Sequence, residues 1–294
     1  MDYLIAQDLI RTEGAAADLV NDCRLIGFRP FERPEDPAAQ PLMRVRLDVP
    51  LALDQFNGYR ELDRFEFDEA VADCHFGRCD GGYLFYMLKQ DCPPVIFAKA
   101  DGDTRVMSNA ACERRPDPSL VRFGMWMLFG ISHNPHSIAI HSSTIIHSGH
   151  AVLFLGESGT GKSTHTRLWR EHIPHSKLLN DDSPIIRLAD GVPTAFGSPW
   201  SGKTPCYRNE SYPIAAFVRL RQAPFNRIER LSVVNAIGAL LPSCPPAFAY
   251  DVALQDNICN TLSQLIARTP VYRLDCLPDA DAARLSFETT LARQ

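Results

Sequence analysis

No run of the 294-residue chain is apolar for long enough to cross a bilayer. The most apolar stretch, Phe123 to Ile131 (FGMWMLFGI), is far short of the roughly 20 residues a spanning helix needs and reads as a buried helix. Met1-Asp2-Tyr3 opens neither a basic nor an apolar leader, so no export signal is expected. The nine cysteines are odd in number and irregular in spacing. That excludes a disulfide framework and predicts free thiols in a reducing cytoplasm. Cys74-His75-Phe76-Gly77-Arg78-Cys79 lacks a second ligand pair at zinc-finger spacing and does not read as a metal site. Charge of one sign is lacking too: 30 Lys plus Arg against 35 Asp plus Glu leave −5, without the global signature of a nucleic-acid binder. Repeats and low-complexity tracts are absent. What is present is 45% hydrophobic and 22% charged residues, the balance of a globular protein with one large or two modest domains.

Residues 1–25 read as a short helix or irregular lead-in, and the proline-rich stretch 28–42 as an exposed connector. From Met43 to Asn109, short alternating runs (MRVRLDV, YLFYML, PVIFAKA, TRVMSN) separated by Gly, Pro and Asp predict antiparallel strands. Asp117-Pro118-Ser119 starts a helix. Beyond residue 136 the texture becomes α/β. Strands are expected at SIAIHSSTII, HAVLFLG, KLLNDDSPIIRL, IAAFVRL and VYRLD, with HAVLFLG at the sheet centre. Helices are expected from Gly161 to His172 and over 232–242, 251–267 and 278–292. The boundary is placed at 118/119: a β-rich part for substrate recognition or oligomerisation, then an α/β core over 119–294.

Gly156-Glu157-Ser158-Gly159-Thr160-Gly161-Lys162-Ser163, followed by Thr164, fits G-x-x-x-x-G-K-[ST] in full, with a strand before it and a helix after it. Glycines there let successive N–H groups face phosphate oxygens, and the helix N-terminus adds positive charge at the same point. Lys162 would reach the β- and γ-phosphates and the Ser163 hydroxyl would ligate Mg²⁺. Asp181-Asp182 ends an apolar run nineteen residues after Lys162. One carboxylate suits metal binding and the other proton acceptance from a hydroxyl, although Asn-Asp-Asp-Ser-Pro is also good turn chemistry.

These residues resemble the HPr kinase/phosphorylase family and, more distantly, ATP-dependent phosphoenolpyruvate carboxykinase. SGTGKST at 158–164 looks like their shared loop and Asp181-Asp182 like their Asp-Asp motif. His141, fifteen residues before Gly156, is similar to the histidine these kinases place ahead of the loop. The similarity covers 136–190. It implies a P-loop core with a mixed sheet, Mg-ATP as donor and a seryl hydroxyl as acceptor, with Asp181 as general base and Asp182 beside the metal. Thr164 stands where HPr kinases usually have Glu, and their downstream glycine-rich signature is replaced by Gly197-Ser198-Pro199-Trp200-Ser201-Gly202-Lys203-Thr204-Pro205. That points to a divergent branch with a substrate other than HPr. The chain is too short for the two full lobes of the carboxykinase.

Gly197 to Thr204 is mobile by composition. Lys203 could offset charge on the transferred group, with Arg208 serving the acceptor or a neighbouring subunit. His147, His150, His165, His172 and His175 read as surface or helix residues, and Trp126 and Trp169 as core. Arg219, Arg221, Arg227 and Arg230 form a local basic cluster that reads as a solvated face, with binding of an acidic peptide or nucleotide as the alternative. The expected function is a cytoplasmic Mg-ATP-dependent kinase acting on a serine of a protein or peptide. A small-molecule kinase for free serine or a phosphoenolpyruvate-type metabolite, and a nucleotide sensor with little turnover, are the alternatives. Neither nucleic acid nor membrane is expected as a partner, and homo-oligomerisation is left open.

Overall fold

The described residues form two nine-stranded mixed sheets and a few helices. The computed structural model describes residues 1–14, 25–112, 117–202 and 204–291. Contacts divide it into two compact units, Met1–His133 with Ala247–Leu254, and Asn134–Pro246 with Gln255–Gln294. No helix among the described residues is long and apolar enough to cross a membrane.

In the first unit, β1 (Asp2–Ile5) and β2 (Asp8–Glu13) form a hairpin where a helix or irregular lead-in is expected from sequence. The sheet continues with β3 (Glu32–Arg33), β4 (Met43–Arg46), β5 (Arg60–Phe67), β6 (Ala72–Cys79), β7 (Gly82–Leu88), β8 (Val95–Ala100) and β9 (Arg105–Ser108). Its order is β3-β1-β2-β4-β9-β8-β7-β6-β5. β5 to β9 form the expected antiparallel meander, but β4 runs parallel to both β2 and β9. The proline-rich stretch is no simple connector. A 3-10 turn over Ile26–Phe31 buries Phe28 and Phe31, with Tyr3 edge-on to Phe28 at 5.5 Å. Helix α1 (Pro118–His133) starts as expected, with Asp117 Oδ1 accepting the Ser119 N–H at 3.0 Å. Phe123 stacks on Phe67 at 4.4 Å, and a Cβ at Gly124 would enter the Phe97 ring. By contacts α1 belongs to this unit, whereas the sequence boundary at 118/119 puts it with the core.

The second unit holds β10 (Ser137–Ala139), β11 (Ser142–His147), β12 (His150–Leu155), β13 (Lys177–Asp182), β14 (Ile185–Ala189), β15 (Val192–Phe196), β16 (Ser211–Gln222), β17 (Arg227–Arg230) and β18 (Val271–Cys276). The order is β10-β14-β15-β16-β12-β11-β13, with β18 also on β16 and β17 on β18. Two runs expected as single strands are each broken. In the first, the Ile140 and His141 amides donate to Pro184 O and Ser243 O (3.1 and 2.7 Å), outside any ladder. In the second, Ser183-Pro184 separates β13 from β14. β12 sits centrally, as its continuous apolar run predicts, antiparallel to β11 and parallel to β16.

Helix α2 (Lys162–His172) packs over β11, β12 and β13. Its buried face is Leu168 and Trp169 with His165 and Thr166, and Arg170 and His172 in the last turn suit the negative end of the helix dipole. Helices α3 (Val233–Leu240), α4 (Val252–Ile266) and α5 (Ala280–Thr290) match the three later helical blocks. α5 docks on α2 through Ser286, whose Oγ accepts from Trp169 Nε1 at 2.8 Å. His165 lies within α2, a helix being one of its two expected placements, and not at the surface. It is 3% exposed, with Nε2 3.0 Å from Ser286 Oγ, so it is a core residue. Trp169 is wholly buried as expected, while Trp126 is only partly so.

Candidate active site

β12, β16 and β18 are mutually parallel, and β13 is antiparallel to β11, which is itself antiparallel to β12. Four strands therefore end at one edge of the sheet, where open α/β sheets place their ligands. The loop from Gly156 to Gly161 leaves β12 at that edge and enters α2. Gly156, Gly159 and Gly161 have φ of 154°, 78° and 105°, conformations side chains rarely adopt. A Cβ at Gly159 or Gly161 would meet nothing within 4 Å, so open space adjoins the loop at both positions. Lys162 Nζ donates to the carbonyls of Gly156 (2.7 Å) and Glu157 (3.1 Å), closing the loop on itself. Burial pulls its ammonium below the usual lysine range; nearby Arg219 adds to this, against the pull of Asp182 and Asp181.

The aspartates reach the same edge from the end of β13, and a β-bulge decides where each one points. The register against β11 passes from Thr144↔Asn180 to Ile145↔Leu178, leaving Leu179 unmatched. Leu178 and Asp181 thereby share the face under α2: Leu178 joins the Trp169–Ile173 core, and Asp181 meets the start of the helix. Asp181 Oδ1 accepts from Ser143 Oγ (2.6 Å) and Ser163 Oγ (3.1 Å), and Ser143 Oγ is 3.0 Å from Thr166 Oγ1. Asp182, one residue on, takes the other direction. Its Oδ1 lies 3.3 Å from His141 Nδ1 and its Oδ2 accepts from Ser183 Oγ at 2.9 Å. Burial opposes ionisation of Asp182, but His141, Ser183 and Lys162 together hold its carboxyl below the usual range. His141 is exposed, in the break between β10 and β11 and not within a strand as expected.

Asn180 is the residue that sequence reasoning passed over. Fully buried, it donates to Trp200 O (2.9 Å) and Ser198 Oγ (3.2 Å) and accepts from the amides of Asp182 (3.0 Å) and Ser183 (2.9 Å). Its only signal in sequence is its place in Asn-Asp-Asp-Ser, which also suits an ordinary turn. Ser198, Trp200 and Ser201 are buried, so this part of 197–205 is no mobile loop. Lys203 lies outside the described residues; Gly202, next to it, donates its N–H to Asp181 O at 3.3 Å. Arg208 pairs with Glu210 at 3.3 Å. Among the described residues, no group of three or more His, Cys, Asp or Glu is placed to hold a metal. A cleft of about 580 Å³ adjoins the loop, lined by Gly159, Thr164 and Gln222 together with Leu168, Leu277 and Pro278. Gln222 Nε2 also donates to Gly159 O at 3.2 Å.

No family model matches the chain, and no curated protein matches it. Among solved structures, the HPr(Ser) kinase/phosphatase from Coxiella burnetii is similar over 52% of this chain and 93% of its own, with 12% sequence identity and a TM-score of 0.28. That likeness is too slight to argue from.

Proposed function

We propose that the second unit is a Mg-ATP-dependent phosphotransferase acting on a hydroxyl, with a serine of a protein or peptide as acceptor. The observation that carries this reading is the convergence of an open glycine loop, the Ser163–Asp181 pair and the Asp182–His141 pair at one sheet edge. The residues fit the groups. Three glycines and a helix N-terminus suit a polyphosphate, and a hydroxyl beside a carboxylate suits a hard cation that keeps waters and phosphate oxygens as its other ligands. A bound Mg²⁺ would neutralise charge on the phosphates.

The loop amides and Lys162 orient the phosphates. Ser163 and Asp181 would hold the cation, and Asp182, positioned by His141, would accept the acceptor hydroxyl's proton. This exchanges the two aspartates relative to the order the family resemblance implies, because it is Asp181 that touches Ser163. Lys203 follows Gly202, which is held against Asp181, and is proposed to offset charge on the transferred group. The 580 Å³ cleft beside the loop, with Leu168, Leu220, Leu277 and Pro278 in its lining, would take the nucleoside. Labelled ATP offered with peptide and metabolite pools tests the reading. Asp182→Asn should bind Mg-nucleotide and fail to transfer, whereas Asp181→Asn should raise the Mg²⁺ concentration needed. Undiminished transfer by Asp182→Asn rejects this assignment, and label appearing only in metabolites rejects the peptide acceptor.

A further inference from the structure

Arg219 is not part of a solvated basic face. Its side chain is only 19% exposed, and its guanidinium meets the glycine loop at Glu157. The parallel register of β12 and β16 sets Arg219 beside Leu155, the last residue before the loop. From there Nη2 donates to Glu157 Oε1 at 2.8 Å, while Nη1 donates to Ala239 O (3.2 Å) and Ser243 Oγ (3.4 Å). The neutral contacts come from the end of α3 and the turn after it, so one nitrogen is anchored and the other is aimed at the loop. The anion it meets is a loop side chain 77% exposed to solvent.

Two neighbouring arginines make the contrast. Arg221 is held bidentately by Asp275 (2.6 and 2.8 Å) and Arg273 by Glu229 (2.7 Å), partners on the sheet itself. Arg219 alone of these three takes its counter-charge from the loop. All three line a cleft of about 520 Å³ together with Glu157, Ser158 and Gly159. Lys162 also donates to the carbonyl of Glu157, at 3.1 Å, so Glu157 touches both cations at the loop, one through its backbone and one through its side chain.

We propose that Arg219 is a second phosphate-binding cation, held by Glu157 in the free loop and handed to the polyphosphate when a nucleotide enters. This rests on the reading of the loop as a nucleotide site. A polyphosphate carries more charge than one carboxylate and accepts a guanidinium with good geometry. The freed Glu157 side chain is already at the surface, so its release costs little.

Calorimetric titration of the full chain with AMP, ADP and a non-hydrolysable ATP analogue tests this. Arg219→Ala should bind ADP and the analogue about ten- to hundredfold more weakly, with AMP nearly unchanged, as expected for loss of one charge-assisted contact. Arg219→Lys should recover part of the loss. Glu157→Gln, at an exposed position, should keep the fold and tighten ADP and the analogue about two- to fivefold, the scale of one exposed ion pair. Equal weakening of all three nucleotides by Arg219→Ala would make Arg219 a structural brace and overturn the proposal. So would a Glu157→Gln variant with unchanged or weaker affinity. If the unmutated chain binds no nucleotide, the underlying reading fails with it; if it binds and Arg219→Ala matches it, only the inference fails.

Discussion

His165 shows how one buried side chain ties stability to pH. Its ring packs against Phe154 at 4.6 Å, and burial pushes its pKa down from the ordinary 6.5 to about 4. Between those values the unfolded chain binds a proton that the folded chain refuses, so this residue makes stability fall as pH drops from about 6.5 towards 4. At about 1.4 kcal/mol per pH unit, the effect over that window is on the order of 3 kcal/mol. Urea unfolding of the protein and of His165→Gln at pH 7 and pH 4.5 should show the smaller loss in the variant. Parallel losses would mean that His165 titrates normally. In sequence this histidine was indistinguishable from His172, because burial here comes from α5, more than a hundred residues away. The glycine loop and Asp181-Asp182 were legible because their chemistry is local. Which aspartate faces Ser163 was not, since the bulge at Leu179 decides it.

At the scale of elements, the turn out of β13 is the piece that organises the edge. Asn180 bridges the amides of Asp182 and Ser183 to the 198–200 segment, and every one of these groups is buried or nearly so. Asn180→Ala leaves two amides and the Trp200 carbonyl without these partners, a cost on the order of 3 kcal/mol. Trp200, 4% exposed, should then loosen and shift its emission to the red. The shift is read by difference against the Trp200→Phe background, and an unshifted spectrum would show that the segment is held by other contacts. Elements with a strong local pattern, such as β12, α1 and α2, were legible in sequence. The β1–β2 hairpin was not, because its turn is Ala6-Gln7, with φ of 50° and 70°, and lacks the Asn-Gly or Asp-Gly that usually marks positive-φ pairs. β15 was missed for a related reason: Pro193 lies inside it, and proline argues against an inner strand.

At the scale of the whole molecule, the chain passes between the units three times, at 133/134, 246/247 and 254/255. No boundary at 118/119 could capture that, because 247–254 lies within the later half of the sequence and joins the first unit through Phe248. Phe248, 1% exposed, lies 5.9 Å from the Phe76 ring, and a Cβ at Gly130 would touch it. Asp251 follows, 4.0 Å from Arg78. The segment is thus part of the first unit's core although it lies within the sequence of the second. Phe248→Ala should cost about 3–5 kcal/mol, the usual price of emptying a large aromatic site. The loss should be confined by fold and not by sequence position. Hydrogen exchange should rise in β6 and α1, which surround the emptied site, while β12 and α2 keep their protection. Faster exchange centred on β12 would instead place residues 247–254 energetically with the glycine-loop unit and would refute the division drawn from contacts.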